Sequence, residues 1–196
     1  MRLIRRPWTW FLRFRKRRGY GVHSPSAFAF ITGVVHEQSA YYAYAPLSRL
    51  HPWWVRWGKL YPMTCRRLLF RLANYVHPST ITLLGASPTD QAYLSAAVPT
   101  AHINPVNTIY SIRPRPQAPT LFFIAAAHLQ EAPAIAATLQ SGDALILEGI
   151  HSNRDARSLW KTMKANPHTG ITFDLYTYGI VFFDTTPHKQ HYLVNF

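Results

Sequence analysis

The chain has 196 residues, enough for one domain with a substantial core. Its 48% hydrophobic and 14% aromatic content excludes a disordered chain, and the lone Cys65 excludes an internal disulfide framework or a zinc–cysteine cluster. The net charge of +13 is concentrated: residues 1–18 hold eight Lys and Arg and no acid, against 13 basic and eight acidic residues in the rest.

Such a basic block suits phosphates, on anionic lipid heads or on nucleic acid. No uncharged apolar run approaches the roughly 20 residues of a membrane-spanning helix. Pro7 to Leu12 is too short for a secretory apolar region, and Arg13 to Arg18 stand where cleavage would occur. These features point to a cytoplasmic protein, peripheral to the inner membrane face if lipid is the target of the tail. Three segments are expected: a basic aromatic tail (1–18), a helical extension packed on the core (19–78) and an α/β core (79–196).

In chain order, Pro7 opens a predicted helix in which Trp8, Trp10, Phe11 and Phe14 accompany Arg13 to Arg18. Aromatics with a basic flank suit an interfacial membrane helix, stacking on RNA, or plain docking on the body. Arg18 to His23 is a glycine-punctuated turn. Ser24 and Pro25 read as N-cap and first helical residue, with Phe28, Ile31, Val34 and Val35 as an apolar stripe. Gly19 and Gly21 are too few for a phosphate loop.

Residues 41–62 are rich in Tyr and Trp, which reads as packing. Met63 to Val76 is a predicted helix with Leu68, Leu69, Leu72, Tyr75 and Val76 on one stripe. Arg66, Arg67 and Arg71 form an expected solvated basic side. Ile81 to Leu84 reads as a strand and Gly85 as its turn. Ser87 to Asp90 is a capping box with Pro88 at the first helical position.

Prolines crowd residues 98–119, with short strands expected at His102-Ile103 and Thr108 to Ile112. Leu121 to Ile124 is a clearer strand, followed by a helix from about Ala132 to Leu139. Ala144 to Leu147 is a short apolar run between Gly142 and Gly149, the pattern of a central strand. Ser152 and Asp155 read as a second capping box, and Ala156, Leu159, Trp160 and Met163 follow at helical spacing. Ile171, Phe173 and Leu175 alternate with polar residues as a strand. Tyr178-Gly179 reads as a tight turn, with strands at Ile180 to Phe183 and Tyr192 to Phe196. Tandem strands on short loops are antiparallel. The fold class is therefore α/β: a Rossmann-like parallel sheet ending in antiparallel strands, with an N-terminal helical extension.

Glu148 and His151 would lie just beyond a strand's carboxyl end, where open α/β sheets bind ligands. They are the candidate catalytic pair, with His151 able to serve as a base near neutral pH. His188 and His191 precede a strand, so their spacing does not place both on one helix face. No nucleophile elbow is present. No metal site is expected, because two ligands without a third do not make one.

Such a sheet resembles the class I S-adenosylmethionine-dependent methyltransferase fold. Arg18-Gly19-Tyr20-Gly21-Val22-His23-Ser24-Pro25 is similar to the RGFG-[IV]-HSP opening of a methyltransferase-like group in Bacteroidota. Gly149-Ile150-His151 with Trp160 resembles its "DDIHWS…AW" region. Asp174-Leu175-Tyr176, Gly179 to Phe183 and Lys189-Gln190-His191-Tyr192 resemble its "DLF…GIVFF…KQHF" ending. The resemblance implies S-adenosylmethionine as cofactor, with Gly85, Ala86 and Ser87 lining its cleft. It departs from the family where the cofactor is held. Ala101 to Ile112 has no acid for the ribose hydroxyls, and Ala125-Ala126-Ala127 stand where an Asp ends the fourth strand. Only 36 residues separate Leu84 from Leu121. Two βα crossovers and another strand would need roughly 60, at about 30 per βαβ unit, so one βα layer is missing or collapsed. Two functions are compatible with this: a divergent methyltransferase, and a non-catalytic module that binds an anionic surface through residues 1–18.

Overall fold

The computed structural model describes residues 24–53, 61–108, 119–183 and 189–196. The basic tail, the glycine turn at 18–23, Trp54 and Trp57, the expected strand from residue 109 onward, and His188 lie outside them.

Among the described residues, three short elements and one long helix precede the sheet. Helix α1 (Pro25–Phe30) starts as its sequence predicts, with Ser24 Oγ accepting from Ala27 N. It runs into a π-helical turn (Ile31–Val35). That turn rotates the apolar stripe: Ala27, Phe30, Ile31, Val34 and Val35 are buried, and the predicted stripe member Phe28 is 48% exposed. Helix α2 (Tyr44–Ser48) is a single turn, and α3 (Tyr61–Val76) is the long helix of the extension. Leu68, Leu69 and Leu72 face the core as expected, whereas Tyr75 is half-exposed. Cys65, on α3, is buried.

The arginines of α3 do not form a solvated side. Arg71 is buried and donates from Nε to Val34 O (2.6 Å) and from Nη2 to Val35 O (3.0 Å). It thereby satisfies carbonyls left open at the end of the π-turn. Arg67 lies over the Tyr44 ring, 4.7 Å from its centroid. Arg66 pairs with Asp90 at 3.0 Å.

The sheet follows: β1 (Thr80–Leu84), α4 (Pro88–Ala97), β2 (His102–Val106), β3 (Thr120–Ile124), a 3₁₀ turn (Ala126–Glu131), α5 (Ala132–Ala136), β4 (Ala144–Glu148), α6 (Arg154–Ala165), β5 (Ile171–Asp174), β6 (Tyr178–Phe182) and β7 (Gln190–Leu193). Strand order is β2-β1-β3-β4-β6-β5-β7. Strands β1 to β4 are parallel, and β6 is antiparallel to both β4 and β5. The expected architecture is thus present: a Rossmann-like parallel sheet closed by an antiparallel hairpin, carrying a helical extension. One strand departs from expectation. β7 does not pair with β6 but lies beside β5, parallel to it. Only β6 runs against the other six.

Alternation along the strands sorts two cores. Ile81, Leu83, Phe123, Ile146 and Ile180 face α1, α3 and α4. Leu84, Ile124, Leu145, Leu147 and Val181 face α5 and α6, where Trp160 and Met163 are buried. Three local readings shift. The N-cap of α6 is Asn153, whose side chain accepts from Ala156 N at 2.7 Å, so the Ser152–Asp155 box does not form. The helix expected over 132–139 starts at Ala132 as read, with Pro133 in its first turn, but ends at Ala136, and a 3₁₀ turn (Ala126–Glu131) leads into it. Tyr178 and Gly179 belong to β6, and the hairpin turns at residues 175–177. Between β2 and β3 no helix occurs among the described residues.

Candidate functional site

The chain leaves β1 for β2 on one side and returns to β3 on the other, so strand order reverses between β1 and β3. That switch point, at the carboxyl ends, is where an open α/β sheet forms its ligand crevice. Gly85 and Ala125 flank it, tied by Ala125 N donating to Leu84 O at 2.9 Å.

The crevice is closed by the chain's own side chains. Gly85 has a left-handed φ of 71°. A methyl group on it would lie 2.5 Å from His128 Cδ2, 3.0 Å from its Nε2 and 3.2 Å from Ala125 Cβ. The His128 imidazole therefore rests on the bare flank of the glycine. Its far edge is held by Glu131, with Nδ1 to Oε1 at 3.3 Å. Ala86 packs against the α3/α4 core. Ser87 is consumed by the predicted cap: its Oγ accepts from Asp90 N at 3.2 Å, and Asp90 Oδ2 accepts from Ser87 N (3.2 Å) and Ser87 Oγ (2.5 Å). The α4 N-terminus thus has little left to offer a ligand.

Glu148 ends β4 directly opposite Tyr178 of β6. Its parity matches Ile146, so it faces the α3/α4 side with Arg66 and Asp90. Burial pushes its carboxyl up from the ordinary 4.5, and the nearby Asp90 carboxylate adds to that. The Ala126 N–H, donating at 3.4 Å, and Arg66 oppose the rise. Burial likewise drives the Tyr178 hydroxyl well above its usual value.

His151 belongs to a different group. Its Nε2–H donates to Asp174 Oδ2 at 2.8 Å. Asp174, 4% exposed at the end of β5, also accepts the Trp160 indole N–H on Oδ2 (3.1 Å) and the Tyr176 N–H on Oδ1 (3.0 Å). Tyr176 has a φ of 69°, uncommon for a non-glycine residue, and its ring stacks on His151 with centroids 5.2 Å apart and a 15° tilt. Gly149 N donates to Thr177 O at 2.6 Å, clipping the loop after β4 to this turn. Gly179 leaves room for the indole: a methyl group there would lie 2.8 Å from Trp160 Cζ3. Nε2 of His151 is thereby the ring nitrogen committed to the carboxylate.

The two predicted residues bond to different groups: His151 to the Asp174 carboxylate and Glu148 to the Ala126 N–H. Sequence reasoning gave no site role to Asp174, Tyr176 or His128. The signal for Asp174 was present, since three separate motif stretches (149–151 with Trp160, 174–176 and Gly179) converge on it. His128 carried none, because its role depends on which strand lies beside β1.

A cleft for S-adenosylmethionine, as the resemblance implies it, needs an accessible glycine loop and a carboxylate at the end of the second strand. Here the glycine is covered, and β2 ends at Val106, followed by Asn107 and Thr108. The described residues at these two places do not fit the cofactor. Among the described residues no group of three or more His, Cys, Asp or Glu could hold a metal ion, and no helix is long and apolar enough to cross a membrane.

No protein-family model matches the chain, and no curated protein does. Among solved structures it is similar to the SAH-bound methyltransferase PaMTH1 of Podospora anserina, at 9% identity and a TM-score of 0.47, covering 82% of this chain and 97% of that one.

Proposed function

We propose that this chain is a divergent methyltransferase-like protein that keeps the fold and no longer uses S-adenosylmethionine, serving instead as a non-catalytic interaction module. The observation that carries the reading is the His128 ring seated on Gly85 at the switch point. A loop glycine admits a ligand only if its flank is open. Ribose hydroxyls left without a carboxylate would lose about 1–3 kcal/mol each. The type of the methyltransferase-like group rests on the three motif stretches alone.

The test is calorimetric titration of the full chain with S-adenosylmethionine and S-adenosylhomocysteine. No binding heat at millimolar ligand is expected. Micromolar binding would return the chain to the enzymes, with His151 the first residue to probe as base.

The partner of such a module is read from charge. Eight Lys and Arg in residues 1–18, among Trp and Phe, suit an anionic, phosphate-bearing surface of lipid or nucleic acid. Binding to anionic vesicles or to single-stranded RNA should then fall steeply with salt. It should also be lost when Arg13, Arg15, Lys16, Arg17 and Arg18 are changed to Gln. Retention of binding by that variant would remove the tail from the account.

A further inference from the structure

Helix α6 carries its positive charge on one flank. Arg154, Arg157, Lys161 and Lys164 follow one another at steps of three, four and three residues. At about 100° per residue they fall within an arc of roughly 80°. Arg154, Arg157 and Lys161 are exposed, and Lys164 is partly exposed, its ammonium 6.0 Å from the centroid of the Trp160 ring. The apolar residues Ala156, Trp160 and Met163 turn inward. The acid of this helix, Asp155, lies about 100° round from Arg154, on the other flank with Ser158 and Thr162.

The charge continues past the helix end. Lys189 donates from Nζ to Ala165 O (3.2 Å) and to Asn166 O, so it stands at the carboxyl end of α6. Desolvation first, and then Lys164 and Lys189, lower the His191 pKa, so the field of these cations reaches β7.

The fold makes no use of the stripe. Among the described residues none of its four cations forms an ion pair. Successive members are like-charge neighbours three or four residues apart, which weaken a free helix. Arg154, at the first helical position, also sits at the positive end of the helix dipole. A polyanion relieves this self-repulsion.

We propose that the α6 stripe is a docking surface for duplex nucleic acid, held through its phosphate backbone. From Arg154 to Lys164 the helix rises about 15 Å. One strand of a duplex presents a phosphate every ~3.4 Å of its axis, so about four phosphates pass along that length. Such contacts position a protein on the duplex without reading sequence. Single-strand sites stack bases on exposed aromatic rings, and interfacial membrane helices bury an apolar face. None of the exposed large apolar side chains lies on α6, and its apolar face is already packed against the sheet. The surface belongs to the folded body and is separate from residues 1–18.

The experiment is a fluorescence-anisotropy titration of a labelled DNA duplex of about 20 base pairs over a range of salt. Its reference is the full chain with the five tail cations changed to Gln as above, so the tail does not enter the reading. The reference should bind with a dissociation constant of roughly 1–100 μM near physiological salt. Arg157→Gln with Lys161→Gln should weaken binding at least fivefold and lower the slope of log K against log salt by about 1.8, two phosphates at ~0.9 each. Arg157→Lys with Lys161→Arg keeps the charge and should bind within twofold of the reference. Gln38→Glu with Gln91→Glu, in the helical layer on the other face of the sheet, makes the same change in net charge and should weaken binding less than twofold. Circular dichroism and melting temperature verify folding. Should the Gln pair fail to fold, Arg154→Gln with Lys164→Gln reads the same slope. No duplex binding by the reference, an unchanged salt slope in the stripe variant, or equal weakening by the Gln38 and Gln91 pair would each overturn the proposal. So would tighter binding of single-stranded DNA or anionic vesicles than of the duplex through the same stripe.

Discussion

His151 and Asp174 meet at 2.8 Å across the carboxyl ends of β4 and β5, and the same buried carboxylate holds the indole of Trp160 and the N–H of Tyr176. Three donors converge on one acid, so the acid organises the corner. Asp174→Asn keeps the shape, removes the charge and turns one acceptor oxygen into a donor, so at least one of these bonds is lost. Hydrogen bonds to a charged group contribute about 1.5–3 kcal/mol. Urea denaturation should show a loss of about 2–3 kcal/mol. A loss under ~0.5 kcal/mol would mean the contacts are incidental.

Gly85 and His128 can be tested as a pair. Gly85→Ala costs about 1–2 kcal/mol for the left-handed backbone. It costs more for a methyl group placed 2.5 Å from the imidazole. His128→Ala should remove the second part only. A double-mutant cycle should therefore return a coupling energy of at least ~0.5 kcal/mol, with the double variant more stable than additivity allows. Simple additivity would show that the ring does not rest on the glycine in solution.

Glu148 gives a pH signature with a definite sign. Its folded pKa is raised above 4.5, chiefly by burial. The folded state therefore holds this proton more tightly than the unfolded chain does. Stability from this group is greatest at low pH and is lost as pH climbs from 4.5 through the raised folded value. Glu148→Gln removes the cost of burying the charge. Its melting temperature should exceed that of the parent at pH 7, with the gain shrinking as pH falls toward 4.5. A gain constant from pH 4 to pH 8 would contradict the account.

His51 and His191 act in the opposite direction. Desolvation first, and then neighbouring cations, lower both pKa values from 6.5. Both side chains prefer to be neutral when folded, His51 beside Tyr93 Oη (3.1 Å) and His191 beside Thr172 Oγ1 (2.7 Å). Stability should fall as pH drops below 6.5, where the unfolded chain protonates first. Replacing both with Gln should flatten that slope between pH 7 and pH 5. An unchanged slope would place its origin elsewhere.

Arg71 ties α3 to the end of the π-turn through two carbonyls, those of Val34 and Val35. Lysine carries its donors on one nitrogen and lacks the planar fork that meets the two carbonyls through separate nitrogens. Arg71→Lys should cost about 1–3 kcal/mol, the penalty for a buried acceptor left open. Full stability in this variant would mean water replaces the guanidinium.

The parts legible in the sequence are those that local chemistry decides. Ser24-Pro25 and the Ser87–Asp90 box mark helix starts by side-chain bonds within four residues, and both form as read. The strand at 144–148 is apolar from Ala144 to Leu147 and bounded by glycines, so its identity needs no partner. What escaped depends on distant neighbours. Arg71 sits where a solvated arginine would sit on a helical wheel, and only the π-turn 36 residues away gives it a use. His128 has meaning only once β1 and β3 are adjacent. β7 has no local cue that it passes β6 to join β5. Glu148 and His151 have only Gly149 and Ile150 between them, yet each bonds to a group that lies far off in the sequence, Ala126 and Asp174.

The buried thiol on α3 has a consequence of its own. Cys65 is the single cysteine of the chain and is 4% exposed, within the helix that covers one face of the sheet. An alkylating reagent cannot reach it until that helix lifts away. The rate at which one equivalent of label is taken up under native conditions therefore measures how often this layer opens. The molecule carries its own clock for that motion, with no engineered probe and no competing signal.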